Sequence, residues 1–382
     1  MSEIKQGYKQ TKVGIIPEDW EDIKIKDIVK VSQGLQIAID DRFTTPAHNR
    51  VFYITIPFIE GKKEEYIENP KSSTLCKKDD ILVVRTGSGV GKIIRGVEGA
   101  FHNNFFKVKP SDNINIDFFY YFLTSPRVQF LMAKYAGNSA IPDLNHGDFY
   151  SLDFLIPPLK EQEKIAEILT TWDEAITKQT ELLRAKELQK KALMQKLLSG
   201  EVRFDGFSDK WEEVRLGEIG NSFNGLSGKT GEDFGIGEAK YITYKNIFNY
   251  SKIKLDIFEN VQISNDEKQN LVQFGDIFFT VSSETPEEVG MSSVLLDNVS
   301  NTYLNSFCFG YRLNNFNTLD PYFARFYFRS FQMRDKISRL AQGSTRFNLS
   351  KNEIMKLKIK LPSLPEQQKI AEVLSLADDE IN

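Results

Sequence analysis

The feature that most constrains this chain is a stretch near its middle that contains no glycine or proline from Leu159 to Ser199. The stretch is rich in Ala, Leu, Glu, Gln and Lys, which are strong helix formers. Pro157 and Pro158 end the extended segment before it, and Gly200 stops it, so both boundaries have a cause. Roughly 40 residues at about 1.5 Å each predict a rod of about 60 Å, a length typical of a coiled coil.

The apolar residues of this helix recur in steps of three and four, as in the seam of a coiled coil. Gln179, Lys186 and Lys190 interrupt the seam. A stripe of this kind needs a partner helix or a groove to cover it. The alternative is a long core helix inside one large domain. The predicted seam consists of Ile165, Leu169, Trp172, Ile176, Leu183, Leu193 and Leu197.

Composition narrows the class of protein. The chain has 382 residues, enough for two or three domains, and a net charge of −4, so any binding to nucleic acid must depend on local patches. Its cysteines, Cys76 and Cys308, form neither a disulfide framework nor a zinc cluster and indicate a reducing cytoplasm. No apolar signal segment or membrane-spanning run is visible, so we expect a cytoplasmic protein without a membrane partner.

The chain carries an internal duplication. Residues 157–169 read PPLKEQEKIAEIL and residues 362–374 read PSLPEQQKIAEVL, which pairs Glu161 with Glu366 at an offset of 205. Trp20 pairs with Trp211 at an offset of 191. A period near 200 residues predicts a duplicated domain rather than a solenoid.

Between these anchors, the alignment of the two copies rests on shorter matches. It pairs Asn103 with Asn305, each just before a strand. It also pairs Asp117 with Asp320, and both aspartates are predicted to be N-caps of helices. The repeated asparagine has two interpretations, because it is either a polar contact to a ligand or a structural cap in both copies.

The repeat predicts a domain organisation. We expect a first globular unit at residues 1–156, the central helix at 157–200, a second globular unit at 201–361 and the start of a second helix at 362–382. Each unit is predicted to be α+β, with a mixed or antiparallel sheet followed by helices. The predicted strands are bounded by Gly, Asn, Asp or Pro and lie at residues 51–56, 81–84, 105–108, 241–243, 277–281 and 307–313.

No active site can be derived from the residues. Residues 85–92, RTGSGVGK, lack the first glycine and the final Ser or Thr of a phosphate-binding loop, so a tight turn is the better interpretation. The histidines His48, His102 and His146 are not in a metal-ligand spacing. We therefore predict no catalytic and no metal-binding residue.

Local charge suggests where a nucleic acid could bind. Residues 85–109 and 325–346 are enriched in Lys and Arg, which neutralise phosphates, and nearby loops carry Asn, Ser and Tyr, which can contact base edges. For any single lysine, a merely solvated side chain is the alternative. The candidate DNA-contacting residues are Arg85, Lys92, Arg95, Asn103, Asn104, Lys240, Tyr244, Lys245, Asn246, Ser282, Ser283 and Arg346.

The two copies of the pattern PxLxEQxKIAExL resemble a known family. Each copy opens a helix that follows an α+β unit, and this arrangement resembles the specificity subunit of a Type I DNA restriction–modification system. Residues 14–20, 207–211 and 196–200 also fit that family. The resemblance covers essentially the whole chain, and two copies in the right order make it specific.

The resemblance implies a function and a set of partners. Each unit would be a target recognition domain that reads one half of a split, asymmetric site in double-stranded DNA. The two helices would pack antiparallel as a coiled-coil spacer, with Ile370 and Leu374 on the second helix. Two methyltransferase subunits would carry S-adenosylmethionine and methylate adenine, and restriction subunits would use ATP and Mg. This chain would bind no cofactor and catalyse nothing.

One departure from the family pattern concerns the second helix, which stops at Asn382. We expect Leu183, Leu193 and Leu197 to lack partners as a result, and the exposed seam to cause self-association. Three alternatives remain open at this point. They are a scaffold that binds proteins instead of DNA, an inactive shortened copy, and an enzyme with an unrecognised site.

Overall fold

A computed structural model describes residues 4–12, 14–87, 89–137, 140–264 and 266–381. The chain folds into two compact units, Met1–Lys178 and Gln179–Asn382, called unit 1 and unit 2. Each unit combines sheets with helices, so the predicted α+β class is confirmed.

The elements of unit 1 follow the predicted order of strands and then helices. Its helices are α1 (Ile56–Ile59), α2 (Ile116–Thr124), α3 (Pro126–Ala136), α4 (His146–Tyr150) and the start of α5 (Leu159–Ser199). Its strands are β1 (Tyr8–Thr11), β2 (Gly14–Pro17), β3 (Glu21–Lys24), β4 (Val29–Gln33), β5 (Arg50–Ile54), β6 (Glu65–Glu68), β7 (Leu75–Cys76), β8 (Ile81–Val84), β9 (Ile93–Ile94), β10 (Gly99–Phe101), β11 (Phe105–Pro110) and β12 (Asp153–Ile156).

Two four-stranded sheets organise unit 1. The first has the order β4-β11-β8-β9 and is antiparallel throughout, whereas the second, β6-β5-β10-β7, contains the parallel pair β5 and β10. All four residues of β8 are buried, which explains its continuous apolar sequence. Helices α2, α3 and α4 pack on the first sheet through a core that includes Phe106, Phe119 and Phe149.

Unit 2 repeats this order. Its helices after α5 are α6 (Leu216–Ile219), α7 (Tyr244–Asn249), α8 (Pro321–Tyr327), α9 (Phe331–Ser338), α10 (Lys351–Lys356) and α11 (Leu364–Asp379). Its strands are β13 (Glu212–Arg215), β14 (Gly220–Asn224), β15 (Phe234–Ile242), β16 (Glu259–Val261), β17 (Ile277–Thr280), β18 (Ser282–Ser283), β19 (Ser292–Val294), β20 (Thr302–Leu304), β21 (Cys308–Leu313), β22 (Phe347–Asn348) and β23 (Lys358–Leu361).

The sheets of unit 2 have the topology of those in unit 1. The antiparallel sheet β14-β21-β17-β19 corresponds to β4-β11-β8-β9, and the parallel pair β15 and β20 corresponds to β5 and β10. The short ladders β12-β3 and β13-β23 also correspond, since each joins an early strand to the strand before the long helix. The topology therefore confirms the duplication that the sequence predicts.

A glycine is required at the same place in each unit. A Cβ atom on Gly34 would lie 2.2 Å from the carbonyl oxygen of His102, and one on Gly225 would lie 1.9 Å from that of Asn305. Both glycines follow the first strand of the antiparallel sheet, where the chain passes directly against the loop before β11 or β21. Only glycine allows this close approach of two backbones.

The loops before β11 and β21 show that the predicted alignment of the two copies is off by one residue. The N–H of His102 donates to the carbonyl of Ile54, and the N–H of Asn305 donates to that of Ile242. His102 Nδ1 accepts a hydrogen bond from the N–H two residues later, and Asn305 Oδ1 does the same. The counterpart of Asn305 is therefore His102, and the predicted pairing with Asn103 is wrong, because geometry rather than the shared letter sets the equivalence.

The N-cap of the next helix also differs from the prediction in unit 1. Asp320 caps α8 by accepting the N–H of Phe323, as predicted. In unit 1, however, Asn115 caps α2 by accepting the N–H of Phe118. The predicted cap Asp117 is wrong, because Asp117 lies two residues later, inside the first turn of α2, and its carboxylate pairs with Arg95.

Helix α5 is a single 41-residue helix, as predicted. Within unit 2, its second half packs antiparallel against α11: Lys186 pairs with Glu380 at 2.6 Å, and Lys190 pairs with Asp378. The two lysines that interrupt the apolar seam are therefore the residues that form ion pairs with the second helix.

The apolar seam of α5 is covered only in part. Leu197 is 3% exposed and belongs to the same core as Ile370 and Leu374, with Leu193 packed against it. The expectation that Leu193 and Leu197 lack partners is therefore wrong, because the 16 residues of α11 reach them. Leu183 remains exposed, as do three seam residues in the first half of the helix, Leu169, Trp172 and Ile176, while Ile165 packs on the core of unit 1.

Candidate nucleic-acid interface

Three neighbouring strands of unit 1 bring their loops to one edge of the antiparallel sheet. Strand β4 ends at Gln33 and β8 ends at Val84, and both residues pair with the first residues of β11. Arg85 follows β8, while Asn103 and Asn104 precede β11. We call this the unit 1 loop edge, formed by Gln33, Gln36, Arg85, Thr86, Asn103, Asn104 and Asp143.

Polar side chains are linked into a network along the unit 1 loop edge. Asp143 accepts hydrogen bonds from Arg85 Nε at 3.0 Å, Arg85 Nη2 at 3.2 Å and the Thr86 hydroxyl at 2.8 Å. Gln33 donates to the carbonyl of Asn103 at 2.6 Å, and the Asn103 amide donates to Gln36 at 3.1 Å. The side chains are therefore held in fixed orientations before any ligand binds.

Asp143, a member of this edge, and His146, the first residue of α4, have shifted pKa values. Burial alone would raise the pKa of Asp143, but the hydrogen bonds and charge of Arg85, together with the Thr86 hydroxyl, lower it below its usual value. Burial lowers the pKa of His146, and the charge of Arg85 acts in the same direction. At neutral pH, Asp143 is therefore an ionised partner for Arg85.

The remaining unit 1 candidates lie in different places. Lys92 is exposed and lies in the hairpin between β8 and β9, beside Val84 and hence near the loop edge. Arg95 follows β9 at the other end, where it pairs with Asp117 at 2.6 Å and lies over the ring of Tyr120. The structure does not bring Arg95 together with the loop-edge residues.

Unit 2 has the equivalent edge with different side chains. The Lys351 ammonium donates to Asn224 at the end of β14, and the Tyr244 hydroxyl donates to the carbonyl of Ser282. Burial raises the pKa of Tyr244, while the charge of Arg346 acts in the opposite direction. We call this the unit 2 loop edge, formed by Asn224, Tyr244, Ser282, Phe307, Arg346 and Lys351.

Several predicted contacts of unit 2 have structural roles instead. Asn246 is fully buried. Its Nδ2 donates to the carbonyl of Lys254, and its Oδ1 accepts the N–H of the same residue. The prediction of Asn246 as a base contact is therefore wrong. Ser283 is 8% exposed and donates to Glu288. Lys240 donates to Asn260 on the neighbouring strand β16, and Lys245 is exposed on α7.

Three arginines of the basic segment 325–346 are likewise structural. Arg329 donates to the carbonyls of Ile247, Phe248, Tyr250 and Ser292, and Arg334 to those of Glu287, Val289 and Gly290. Burial lowers the pKa of Arg329 and of Arg334 to about 10. Arg325 pairs with Asp378. The exposed charge that remains in this segment includes Arg346.

The hairpins beside the two loop edges differ in charge. The hairpin between β8 and β9 in unit 1 carries Arg85 and Lys92, whereas the equivalent hairpin of unit 2 carries three exposed carboxylates at Glu284, Glu287 and Glu288. Carboxylates accept hydrogen bonds from base amino groups and repel phosphates, while arginine donates to base acceptors. Two equivalent scaffolds therefore present different hydrogen-bonding groups.

Several loop-edge residues were not predicted from the sequence. They are Gln33, Gln36, Thr86 and Asp143 in unit 1, and Asn224, Phe307 and Lys351 in unit 2. Phe307 is 68% exposed, which is unusual for an aromatic ring directly before a buried strand, here β21. The equivalence of Gly34 and Gly225 was a usable signal, because Gln33 and Asn224 directly precede these glycines.

Neither a metal centre nor a membrane span is found in the part of the chain that the structure describes. There, no three or more His, Cys, Asp or Glu side chains are grouped to hold a metal ion. No helix in those residues is both long and apolar enough to span a bilayer.

Comparison with known proteins identifies related chains. The sequence matches the family described as Type I restriction modification DNA specificity domain at residues 17–185 and 208–382. In Methanocaldococcus jannaschii, the Type I restriction enzyme MjaVIII specificity subunit is 24% identical over 98% of this chain and 90% of that protein. The putative type I restriction enzyme MjaX specificity subunit of the same organism is 28% identical with the same coverage.

A solved structure shows the same fold. The S subunit of a Type I restriction-modification system from M. genitalium superimposes with a TM-score of 0.57 at 17% sequence identity. The match covers 95% of this chain and 90% of that one.

Proposed function

Because the chain belongs to the family of Type I restriction–modification DNA specificity subunits, we propose that it reads a bipartite, asymmetric DNA site through its two loop edges. Family membership implies recognition of a DNA sequence. The proposal adds that each loop edge contacts one half-site, and that the two half-sites differ in sequence.

One observation carries this proposal. The hairpins that follow β8 and β17 are equivalent in topology but carry different charged groups, with Arg85 and Lys92 in unit 1 against Glu284, Glu287 and Glu288 in unit 2. Arginine donates to the O6 and N7 acceptors of guanine, whereas a carboxylate accepts from the amino group of cytosine. Two equivalent units that present different hydrogen-bond donors and acceptors favour a DNA site whose two halves differ in sequence.

Affinity requires contacts to phosphates as well as to bases. Each phosphate neutralised by Lys or Arg releases counterions and makes the binding constant depend on salt. Lys92 in unit 1 and Arg346 in unit 2 are exposed at their loop edges. We assign both side chains to phosphate contacts, which position the protein without reading sequence.

The proposal includes partner subunits that perform the chemistry. Two methyltransferase subunits would carry S-adenosylmethionine and methylate adenine, and restriction subunits would use ATP and Mg to cleave DNA. The chain itself would bind no cofactor, catalyse no step and act in the cytoplasm. Exposed apolar side chains on α5, such as Leu169, Trp172 and Leu183, support a surface for these partners or for a second copy of the chain.

The experiment that tests the function uses the full chain with its cognate methyltransferase subunit in a host without other DNA methylation. Methylated adenines are then mapped across the genome by single-molecule sequencing. A split motif with two different halves is the expected result. A stable complex with the methyltransferase that methylates no defined motif and shows no salt-dependent binding to duplex DNA would overturn the proposal and favour a protein scaffold.

Self-association is tested separately. If the exposed part of α5 joins two copies, light scattering at micromolar concentration shows a dimer that Trp172→Glu converts to a monomer. Trp172 is 66% exposed, so this substitution leaves the core unchanged. A monodisperse monomer of the unsubstituted chain would contradict self-association.

A further inference from the structure

The geometry of unit 1 points to one specific contact: we infer that Arg85 reads a guanine in one half-site, held in place by Asp143 and Gln33 as positioning residues. The inference rests on the proposed function and goes further, because it names the base, the atoms and the residues that orient them. It applies to unit 1 alone.

The backbone of Arg85 is fixed on both sides. Its N–H donates to the carbonyl of Asn104 at 2.7 Å, and its carbonyl accepts the N–H of Leu144 at 2.8 Å. The next turn is tied down as well, since the N–H of Gly87 donates to the carbonyl of Pro142 at 3.0 Å. Arg85 therefore starts from a rigid position at the end of a buried strand rather than from a free loop.

The guanidinium group is held along its two sides. An arginine has five N–H donors in a planar fork. Nε and Nη2 each donate one to the carboxylate of Asp143, at 3.0 and 3.2 Å, and Nη1 approaches Gln33 Oε1 at 3.5 Å. Two N–H donors, one on Nη1 and one on Nη2, therefore remain for a ligand, and the planar guanidinium keeps them in one plane.

Two parallel donors at the end of an arginine match the O6 and N7 acceptors of guanine in the major groove. The side chain is within reach of a ligand, because Arg85 is 34% exposed and Asp143 is 38% exposed. The positioning residues are themselves held: Thr86 donates to Asp143 at 2.8 Å, and Gln33 donates to the carbonyl of Asn103 at 2.6 Å. Little side-chain freedom remains to be lost on binding.

The charge balance favours a base over a phosphate. The Asp143 carboxylate, whose pKa lies below its usual value, neutralises Arg85 at neutral pH. A neutralised arginine attracts a phosphate weakly and releases few counterions, but it keeps its two directional donors. In contrast, Lys92 carries its charge in the exposed hairpin. The two residues should therefore differ in kind, with Arg85 affecting sequence preference and Lys92 affecting affinity and salt dependence.

Unit 2 provides an internal comparison. Val281 occupies the position of Arg85: its N–H donates to the carbonyl of Phe307, and its carbonyl accepts the N–H of Leu349. A valine has no donor to offer a base edge. The same backbone position therefore holds a reader in unit 1 and an apolar side chain in unit 2, so that a change at Arg85 should alter one half-site only.

The test compares variants of the full chain, each with the methyltransferase partner, by the methylated motif they produce. For Arg85→Ala, we expect a roughly tenfold to hundredfold loss of preference for guanine at one position of one half-site, with the other half unchanged. Arg85→Lys should not restore the preference, because an ammonium group lacks two parallel donors. Asp143→Asn should weaken the preference for guanine at the same position. It should also steepen the slope of log K against log salt by about one, because the charge of Arg85 is then no longer neutralised.

A matched control is available in another sheet of unit 1. Lys24 and Asp153 form an ion pair of similar exposure, at 43% and 36%, between β3 and β12. Lys24→Ala should leave both half-sites unchanged. Thermal unfolding of each variant shows whether unit 1 stays folded, and Arg85→Lys, which keeps the charge and stem, remains informative if Arg85→Ala does not fold.

The outcomes separate this inference from the proposed function. If the unsubstituted chain yields a split motif but Arg85→Ala and Arg85→Lys leave every position intact, or if neither half-site contains a guanine, the assignment of Arg85 is overturned and the function stands. If the unsubstituted chain directs no sequence-specific methylation and binds no duplex, the function itself fails and the assignment with it.

Discussion

Gln162 and Gln367 lie 205 residues apart in the sequence and make the same hydrogen bonds. Gln162 Oε1 accepts the N–H of Asn115 at 2.9 Å, and Gln367 Oε1 accepts that of Asp320 at 3.0 Å. Gln162 Nε2 donates to the carbonyl of Pro157, and Gln367 Nε2 donates to that of Pro362, each at 2.9 Å. Both side chains are 1% exposed. The glutamine repeated in PxLxEQxKIAExL therefore joins the start of each long helix to the cap of α2 or α8.

Gln367→Leu should lower the free energy of unfolding of unit 2 by about 2–4 kcal/mol, because the buried carbonyl of Pro362 and the part-buried backbone groups of Thr318 and Asp320 lose their partner. Urea denaturation followed by fluorescence measures the change. Gln368→Leu is the matched control, since Gln368 is the exposed neighbour on the same helix and should shift stability by less than about 0.5 kcal/mol. Equal effects of the two substitutions would contradict this role.

The covered and uncovered parts of α5 should respond differently to the same substitution. Leu197→Ala removes a side chain that is 3% exposed and should cost about 2–4 kcal/mol of unfolding free energy. Leu188→Ala, on the same helix but 61% exposed, should cost less than about 0.5 kcal/mol. Chemical denaturation of both variants provides the measurement. A small effect of Leu197→Ala would mean that α11 does not pack on α5 in solution.

Both cysteines should react slowly with alkylating agents in the folded protein. Burial raises the pKa of Cys76 to about 11 and that of Cys308 to about 12, so the reactive thiolate is the minor species at neutral pH. At pH 8, about one thiol in a thousand is ionised at a pKa of about 11, and fewer at Cys308. Mass spectrometry of iodoacetamide labelling should show reaction at least about a hundredfold slower than in urea, where thiols titrate near 8.5. Rapid labelling of folded protein at either position would show that it is not buried.

Phosphate contacts should appear in the salt dependence of DNA binding. Lys92→Ala and Arg346→Ala should each weaken binding to all sequences and reduce the slope of log K against log salt by about one. Fluorescence anisotropy with a labelled duplex at several salt concentrations measures this slope. Arg95→Ala offers a comparison, since Arg95 pairs with Asp117 away from the loop edge and should leave the slope unchanged. An unchanged slope for both Lys92 and Arg346 would place the basic faces elsewhere.

The sequence by itself determined the features that depend on neighbouring residues. Helix α5 follows from an uninterrupted run of strong helix formers, and β8 follows from four consecutive apolar residues, Ile81–Val84. Both elements depend on the propensities of neighbouring residues. The duplication is visible because each copy of PxLxEQxKIAExL is continuous in the sequence. These signals require no knowledge of what lies against them.

Only the tertiary structure decided which polar side chains are exposed. Asn246 is a residue type that can contact base edges, but both hydrogen-bonding groups of its side chain are bonded to the backbone of Lys254. Asp143 has no such signal in the sequence, yet the loop before α4 brings it against Arg85, 58 positions away. Burial and hydrogen-bond partners depend on segments distant in sequence, and propensity and spacing carry no information about those contacts.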